Sequence, residues 1–297
     1  MPRIVSLLPS GTEWVCALGL EDSLAGVTFE CDHPAGIRTR HPVVVHGLPT
    51  EGLPPGEIDA MVRARVAAGE PLYTLDTDAL ARIAPDVVVT QDLCRVCALP
   101  ADDVASAIDR VGCPSELVTL DPHRLDDVLD GAVAVAAAVG AEDSGQRLRG
   151  ELRARLDRVA GRLRGIRRPR VLVLEWTDPP FLAGHWVPDM VAAAGAEAVL
   201  ADPGGRSVTT TWPAIGVLDP DIVVIAPCGF GLDAAMEHGR AVLDRLPSAA
   251  AVWAVDAGAL VTRPGPRTVD GVEALAYALH PEVFGPPPGG RVARLRP

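Results

Sequence analysis

A chain of 297 residues that is 48% hydrophobic and 22% charged has a globular composition and enough length for two domains. Its net charge of −12 reflects 39 acidic against 27 basic residues. No basic stripe accompanies it, which excludes nucleic acid and anionic membrane surfaces as expected partners. Every basic residue is arginine, as codon usage in a GC-rich genome produces.

The chain opens Met1-Pro2-Arg3 and runs into Ile4-Val5-Ser6-Leu7-Leu8, an apolar run too short for a secretion signal. The longest small-apolar stretch, residues 131–141, is too short to span a bilayer. The expectation is a cytoplasmic protein without membrane insertion. Six cysteines in that compartment read as core residues or ligands, not as a disulfide framework.

The first predicted element is a strand at Pro2-Arg3-Ile4-Val5-Ser6-Leu7, continuously apolar as a strand covered on both faces should be. It ends in the polar loop Pro9-Ser10-Gly11-Thr12-Glu13, and Cys16 follows in a helical core pattern. Further on, residues 80–89 read as a helix end, a Pro-Asp turn and a buried strand. Asp121-Pro122-His123 reads as a helix cap. Residues 144–165 place Leu148, Leu152, Leu156, Val159 and Leu163 at helical spacing.

The second half repeats the first. Pro169-Arg170-Val171-Leu172-Val173-Leu174 is another strand, followed by the polar loop Glu175-Trp176-Thr177-Asp178-Pro179-Pro180, and residues 215–224 repeat the helix, Pro-Asp turn and strand. The expected plan is α/β: a lobe over residues 1–143, a connector helix over 144–166 and a second lobe over 167–297.

Ligands of open parallel sheets bind beyond the carboxyl ends of the strands, which orders the candidates. Cys94-Arg95-Val96-Cys97 has the spacing of a metal knuckle, and Cys31 and Cys228 also follow strand-like runs. Together these four suit zinc or an iron–sulfur cluster; the plainer alternative is four small buried hydrophobes. A second cluster, Glu175, Trp176, Phe181, His185 and Trp186, concentrates aromatic surface in a chain with 4% aromatics. It suits a small-molecule pocket able to stack on a flat macrocycle, or packing over a sheet end. Arg263 and Arg267 suit bidentate contacts to carboxylate or phosphate, or a solvent-facing loop. Ser10 is the candidate in the first loop. No GxSxG elbow, P-loop or complete GxGxxG occurs, so binding is favoured over catalysis.

Arg3-Ile4-Val5-Ser6-Leu7-Leu8-Pro9-Ser10-Gly11-Thr12-Glu13, with residues 83–89 and 217–224, resembles the class III substrate-binding proteins of ABC importers, which include vitamin B12, ferric-siderophore and haem binders. The resemblance implies two Rossmann-like lobes joined by one long helix, with ligand held between them. Glu30 to Pro34, Asp92 to Cys97 and Pro227 to Phe230 resemble elements of an unsecreted, cysteine-containing branch labelled cobalamin-binding. The reading is a cytoplasmic binding protein for a corrinoid or other metal-containing small molecule, with an ABC permease partner not expected. The alternative is an enzyme or sensor holding a cysteine-ligated zinc or iron–sulfur cluster.

Overall fold

A computed structural model describes residues 1–93, 99–287 and 289–297. The chain divides into two compact units. The first comprises Met1–Leu53, Ala60–Pro122 and Leu129–Glu151; the second comprises Pro54–Asp59, His123–Val128 and Leu152–Pro297.

The first unit holds β1 (Ile4–Ser6), β2 (Leu24–Thr28), β3 (Val43–His46), β4 (Thr74–Leu75), β5 (Val87–Gln91) and β6 (Glu116–Leu120). Their order is β4-β3-β2-β1-β5-β6, with only the β3–β4 pairing antiparallel. The continuous apolar runs have the predicted cause. Val5, Val44 and Val88 pack with Leu80, Val104 and Ile108 in one core cluster, all buried.

The second unit holds β7 (Arg170–Thr177), β8 (Pro180–Leu182), β9 (Glu197–Ala198), β10 (Val208–Thr209), β11 (Ile222–Ile225), β12 (Ala251–Val255) and β13 (Val292–Arg296). Their order is β10-β8-β7-β11-β12-β13, with β9 also pairing β7. Leu172, Leu174, Ile215, Val223, Ile225 and Val252 form its buried core.

The repeated sequence pattern corresponds to a repeated lock. In the first unit the carboxylate of Asp86 accepts the backbone N–H of Arg3 at 2.7 Å, and the Asp86 N–H donates to the Arg3 carbonyl at 2.9 Å. In the second, Asp221 accepts from the Arg170 N–H at 2.7 Å and donates to the Arg170 carbonyl at 2.9 Å. The aspartate of each Pro-Asp turn thus grips the start of the neighbouring strand at two points, at Arg3 just before β1 and at Arg170, the first residue of β7. It sets the parallel register Ile4↔Val87 in one sheet and Val171↔Ile222 in the other. A slip of one residue would turn every side chain to the wrong face. The Arg167 guanidinium beside Asp221, with the Arg170 N–H, holds that carboxyl below its ordinary value.

The helix predicted over 144–165 spans Glu142–Arg162. Its buried stripe is Leu152, Leu156 and Val159, continued by Leu163 just past its end, and the division between the units falls between Glu151 and Leu152. In the second unit Arg155 donates to both oxygens of Glu273 and also contacts Asp270, which raises the Arg155 pKa above its ordinary value. The glycines of this helix differ sharply. Nothing lies within 4 Å of a Cβ built on Gly150, whereas one on Gly145 would stand 2.7 Å from the Ala136 Cβ and 2.9 Å from the Ala132 carbonyl. Gly150→Ala should therefore stabilise by about 0.5–1 kcal/mol and Gly145→Ala destabilise by about 1–3 kcal/mol. Urea midpoints of the two variants check the opposite signs.

The helix start read at Asp121-Pro122-His123 is held by a carboxylate of the first turn. The helix is Leu125–Ala137, and the Asp127 carboxylate in its first turn reaches back to the N–H groups of His123 and Arg124 at 3.0 and 2.8 Å. This is the returning half of a capping box.

Candidate functional site

In each unit the strand sequence reverses direction beside the first strand, between β1 and β5 and between β7 and β11. Such switch points open a crevice at the carboxyl ends of the strands, where the residues just beyond those ends can meet a ligand.

In the second unit the expected loop at residues 175–180 is mostly strand. Glu175 and Trp176 belong to β7, Phe181 belongs to β8, and only Asp178 and Pro179 lie between the two strands. Trp176 is the cross-strand partner of Phe181, so the two side chains share a face. Both are half-buried. The Trp176 indole N–H donates to the Asp178 carbonyl at 3.0 Å and the Pro55 carbonyl at 3.3 Å. Glu175 faces the other way and accepts the Ser207 hydroxyl.

Across the switch point, β11 ends in Ala226-Pro227-Cys228-Gly229-Phe230. The Cys228 N–H bonds the Glu175 carbonyl at 3.0 Å, and the Phe230 carbonyl receives the Gly258 N–H at 2.8 Å. The segment is pinned at both ends, with Gly229 at φ 81°, a conformation glycine adopts without strain. It presents Phe230 5.7 Å from Trp176 and 4.9 Å from His238, ring centre to ring centre, and Trp176 meets His238 edge-on at 6.1 Å. This aromatic trio forms a half-buried surface at the carboxyl ends of β7 and β11. Phe230 and His238 were not among the sequence candidates. Phe230 carried a signal, since it ends the Pro-Cys-Gly-Phe run just past a strand; His238 carried none.

Burial lowers the His238 pKa below its ordinary 6.5, with Glu237 opposing. The unfolded chain takes up that proton first as pH falls. Stability contributed here is present above pH 6.5 and declines as pH drops toward the depressed folded value. His238→Phe should flatten that part of a stability–pH profile, read as urea midpoints between pH 7 and pH 5.

Trp186 is buried in the second unit. It is 5% exposed, it precedes the helix Val187–Ala193, and its indole N–H donates to the Val261 carbonyl at 2.8 Å. Burial and a satisfied donor make it a core residue. His185 stands beside it at φ 50°, its backbone tied to the glycine loop by His185 N–H to Gly205 carbonyl (2.6 Å) and Gly204 N–H to His185 carbonyl (3.0 Å). The His185 ring lies 6.3 Å from that of His123. Arg263 and Arg267 are half-buried and flank the turn into the helix Thr268–Leu279, where the Arg263 carbonyl accepts the Thr268 hydroxyl at 3.0 Å.

In the first unit Ser10 is 1% exposed because the expected loop is already helix, Pro9–Ala17, with proline in its first turn. Cys31 is likewise 1% exposed. Its sulfur lies 3.2 Å from the Thr12 hydroxyl and 3.6 Å from that of Thr28. Phe29, just past β2, packs over Gly47, just past β3, where a Cβ would come within 2.2 Å of the ring. The Phe29 ring also lies 6.5 Å from Tyr73. These two aromatics at the strand ends were not foreseen either.

Cys94 and Cys97 lie outside the described residues. Cys31 is buried in the first unit and Cys228 is exposed in the second. Among the described residues no group of three or more His, Cys, Asp and Glu is arranged to hold a metal ion, and no helix is long and apolar enough to cross a membrane.

The periplasmic binding protein family model matches residues 4–264. A substrate-binding lipoprotein of an uncharacterised ABC transporter in Bacillus subtilis, YvrC, is 25% identical over 95% of this chain and 81% of its own length. Among solved structures, the periplasmic haem-binding protein RhuT of Roseiflexus sp. RS-1 superposes with a TM-score of 0.70 at 23% identity, covering 94% of this chain and 98% of that one. The vitamin B12-binding protein BtuF of Vibrio cholerae gives 0.68 at 21%, covering 94% and 96%. The expectation of a cytoplasmic protein is corrected by these relationships: the family is periplasmic, and the Bacillus relative is a lipoprotein. With two α/β units built on the same strand lock, and the match running from the first strand to Pro264, the chain belongs to the periplasmic binding protein family, the substrate-binding type of ABC transporters.

Proposed function

We propose that this protein captures a corrinoid, a metal-bearing macrocycle, and hands it to an ABC permease. The observation that carries the reading is the trio Trp176, Phe230 and His238 at the switch point of the second sheet. A broad ring system can lay apolar area against such half-buried faces. The likeness to the Vibrio cholerae B12-binding protein supports the same reading. Each burial of an aromatic face is worth about 1.5–3 kcal/mol.

The test is titration of the purified protein with cyanocobalamin and, in parallel, hemin, followed by visible absorption and tryptophan fluorescence. Saturable corrinoid binding with fluorescence quenching is expected. Trp176→Ala should weaken it roughly 10- to 100-fold while lowering the urea midpoint less than truncation of the buried Trp186 does. Saturation by hemin alone, or by neither compound, would overturn the assignment.

A further inference from the structure

One helix of the first unit carries a thiol, Cys16, and has a second, Cys31, packed against it. The Cys31 sulfur is seated against the Thr12 hydroxyl at 3.2 Å. Thr12 and Cys16 are four residues apart in the helix Pro9–Ala17, so they stack on one face with Cβ atoms about 5–6 Å apart. Side chains on a helix lean toward its N-terminus, which carries the Cys16 sulfur back over the turn where Cys31 sits. Cys31 is buried and Cys16 is half-exposed, so one thiol of the pair is open to a reagent while the other lies behind it.

We propose that Cys16 and Cys31 form a disulfide, tying the helix Pro9–Ala17 to the segment that follows β2. The family works outside the cytoplasm, where such bonds form and persist, and the pairing is independent of what the protein carries. The oxidant is a disulfide donor, RS–SR. The Cys16 thiolate attacks one donor sulfur, the donor S–S bond breaks and one thiolate RS⁻ leaves. Cys31 then gives up its proton and attacks the Cys16 sulfur of the mixed disulfide, expelling the second RS⁻. Two protein thiols are oxidised, one donor is reduced, and the two protons given up by Cys16 and Cys31 pass to the two departing RS⁻ groups to make two thiols.

The surroundings set the rate. Burial, then the Glu21 charge, push the Cys16 thiol up to about 12; Cys31 and Glu13 act in the same direction, and Arg40 opposes them. Arg40 is itself paired with Glu21 at 2.7 Å. Bond formation is therefore slow near neutral pH and quickens about tenfold per unit as the thiolate fraction rises.

The full-length protein is incubated with oxidised glutathione at pH 8.5, denatured, alkylated and cut with trypsin. Residues 4–38 fall in one peptide that contains both cysteines. That peptide should be two hydrogens lighter and carry no alkyl group. The oxidised protein should melt about 6–12 °C higher than the reduced one, as closing a loop of this length implies. Reductant should reverse the gain, and Cys16→Ser should abolish it. Full alkylation of Cys16 and Cys31 after oxidation, stable glutathione adducts on them, or Cys31 joined to Cys94 or Cys97 would each overturn the proposal.

Discussion

Trp186→Ala is expected to destabilise the second unit by about 3–5 kcal/mol. The side chain is 5% exposed, so truncation leaves a cavity the size of an indole beside the helix Val187–Ala193. It also strips the Val261 carbonyl of the donor it holds at 2.8 Å, adding the cost of a buried acceptor without a partner. The urea midpoint reports the loss directly. The affinity of the fraction that remains folded should change little, because the Trp186 side chain is buried and its indole N–H is held by Val261. Trp176→Ala is expected to show the reverse, large in affinity and smaller in stability. A Trp186→Ala protein that unfolds like the parent yet loses its ligand would restore Trp186 to the pocket.

A second large effect is expected at Gly184. A Cβ there would stand 2.3 Å from the Ser207 nitrogen, 2.5 Å from the Arg206 carbonyl carbon and 2.7 Å from the Gly205 oxygen. All three are backbone atoms, so no side-chain rotation relieves the overlap. Gly184→Val should cost about 3 kcal/mol or more. It would part the paired hydrogen bonds between His185 and residues 204–205 and draw the Ser207 hydroxyl off Glu175. Hydrogen exchange at the amides of Gly204 and His185 should accelerate in step with the lowered urea midpoint. Unchanged protection at those two amides would show that the loop yields without cost.

Much of the architecture could be read from the chain because its signals are local. The apolar runs at Ile4 and Val171 and the Pro-Asp turns before Val87 and Ile222 each lie within a few residues of what they determine. The long helix announced itself through the spacing of Leu148, Leu152, Leu156, Val159 and Leu163. The candidate site was less legible, since its parts meet only after folding. Glu175 and Trp176 looked like loop residues because Asp178-Pro179-Pro180 follows, yet β8 pairs back on them and makes a hairpin. The burial of Trp186 was not legible, because composition does not tell how much of a tryptophan is covered. His238 joins the trio through its place on the helix Leu232–Val242, set by packing across the unit. The cellular location failed for another reason: composition and the first strand say nothing about export.

The aspartate lock also bears on how the chain folds. The same pair of hydrogen bonds closes 83 residues between Arg3 and Asp86 but 51 between Arg170 and Asp221. Loop-closure entropy grows only with the logarithm of length, so the longer closure costs about 0.4 kcal/mol more, roughly a factor of two in rate. Chain length alone thus leaves the two halves nearly matched in how fast their central strands can meet. The order in which they fold is then governed by which apolar runs collapse more readily, and a permuted chain beginning near Arg168 should refold with little change in rate.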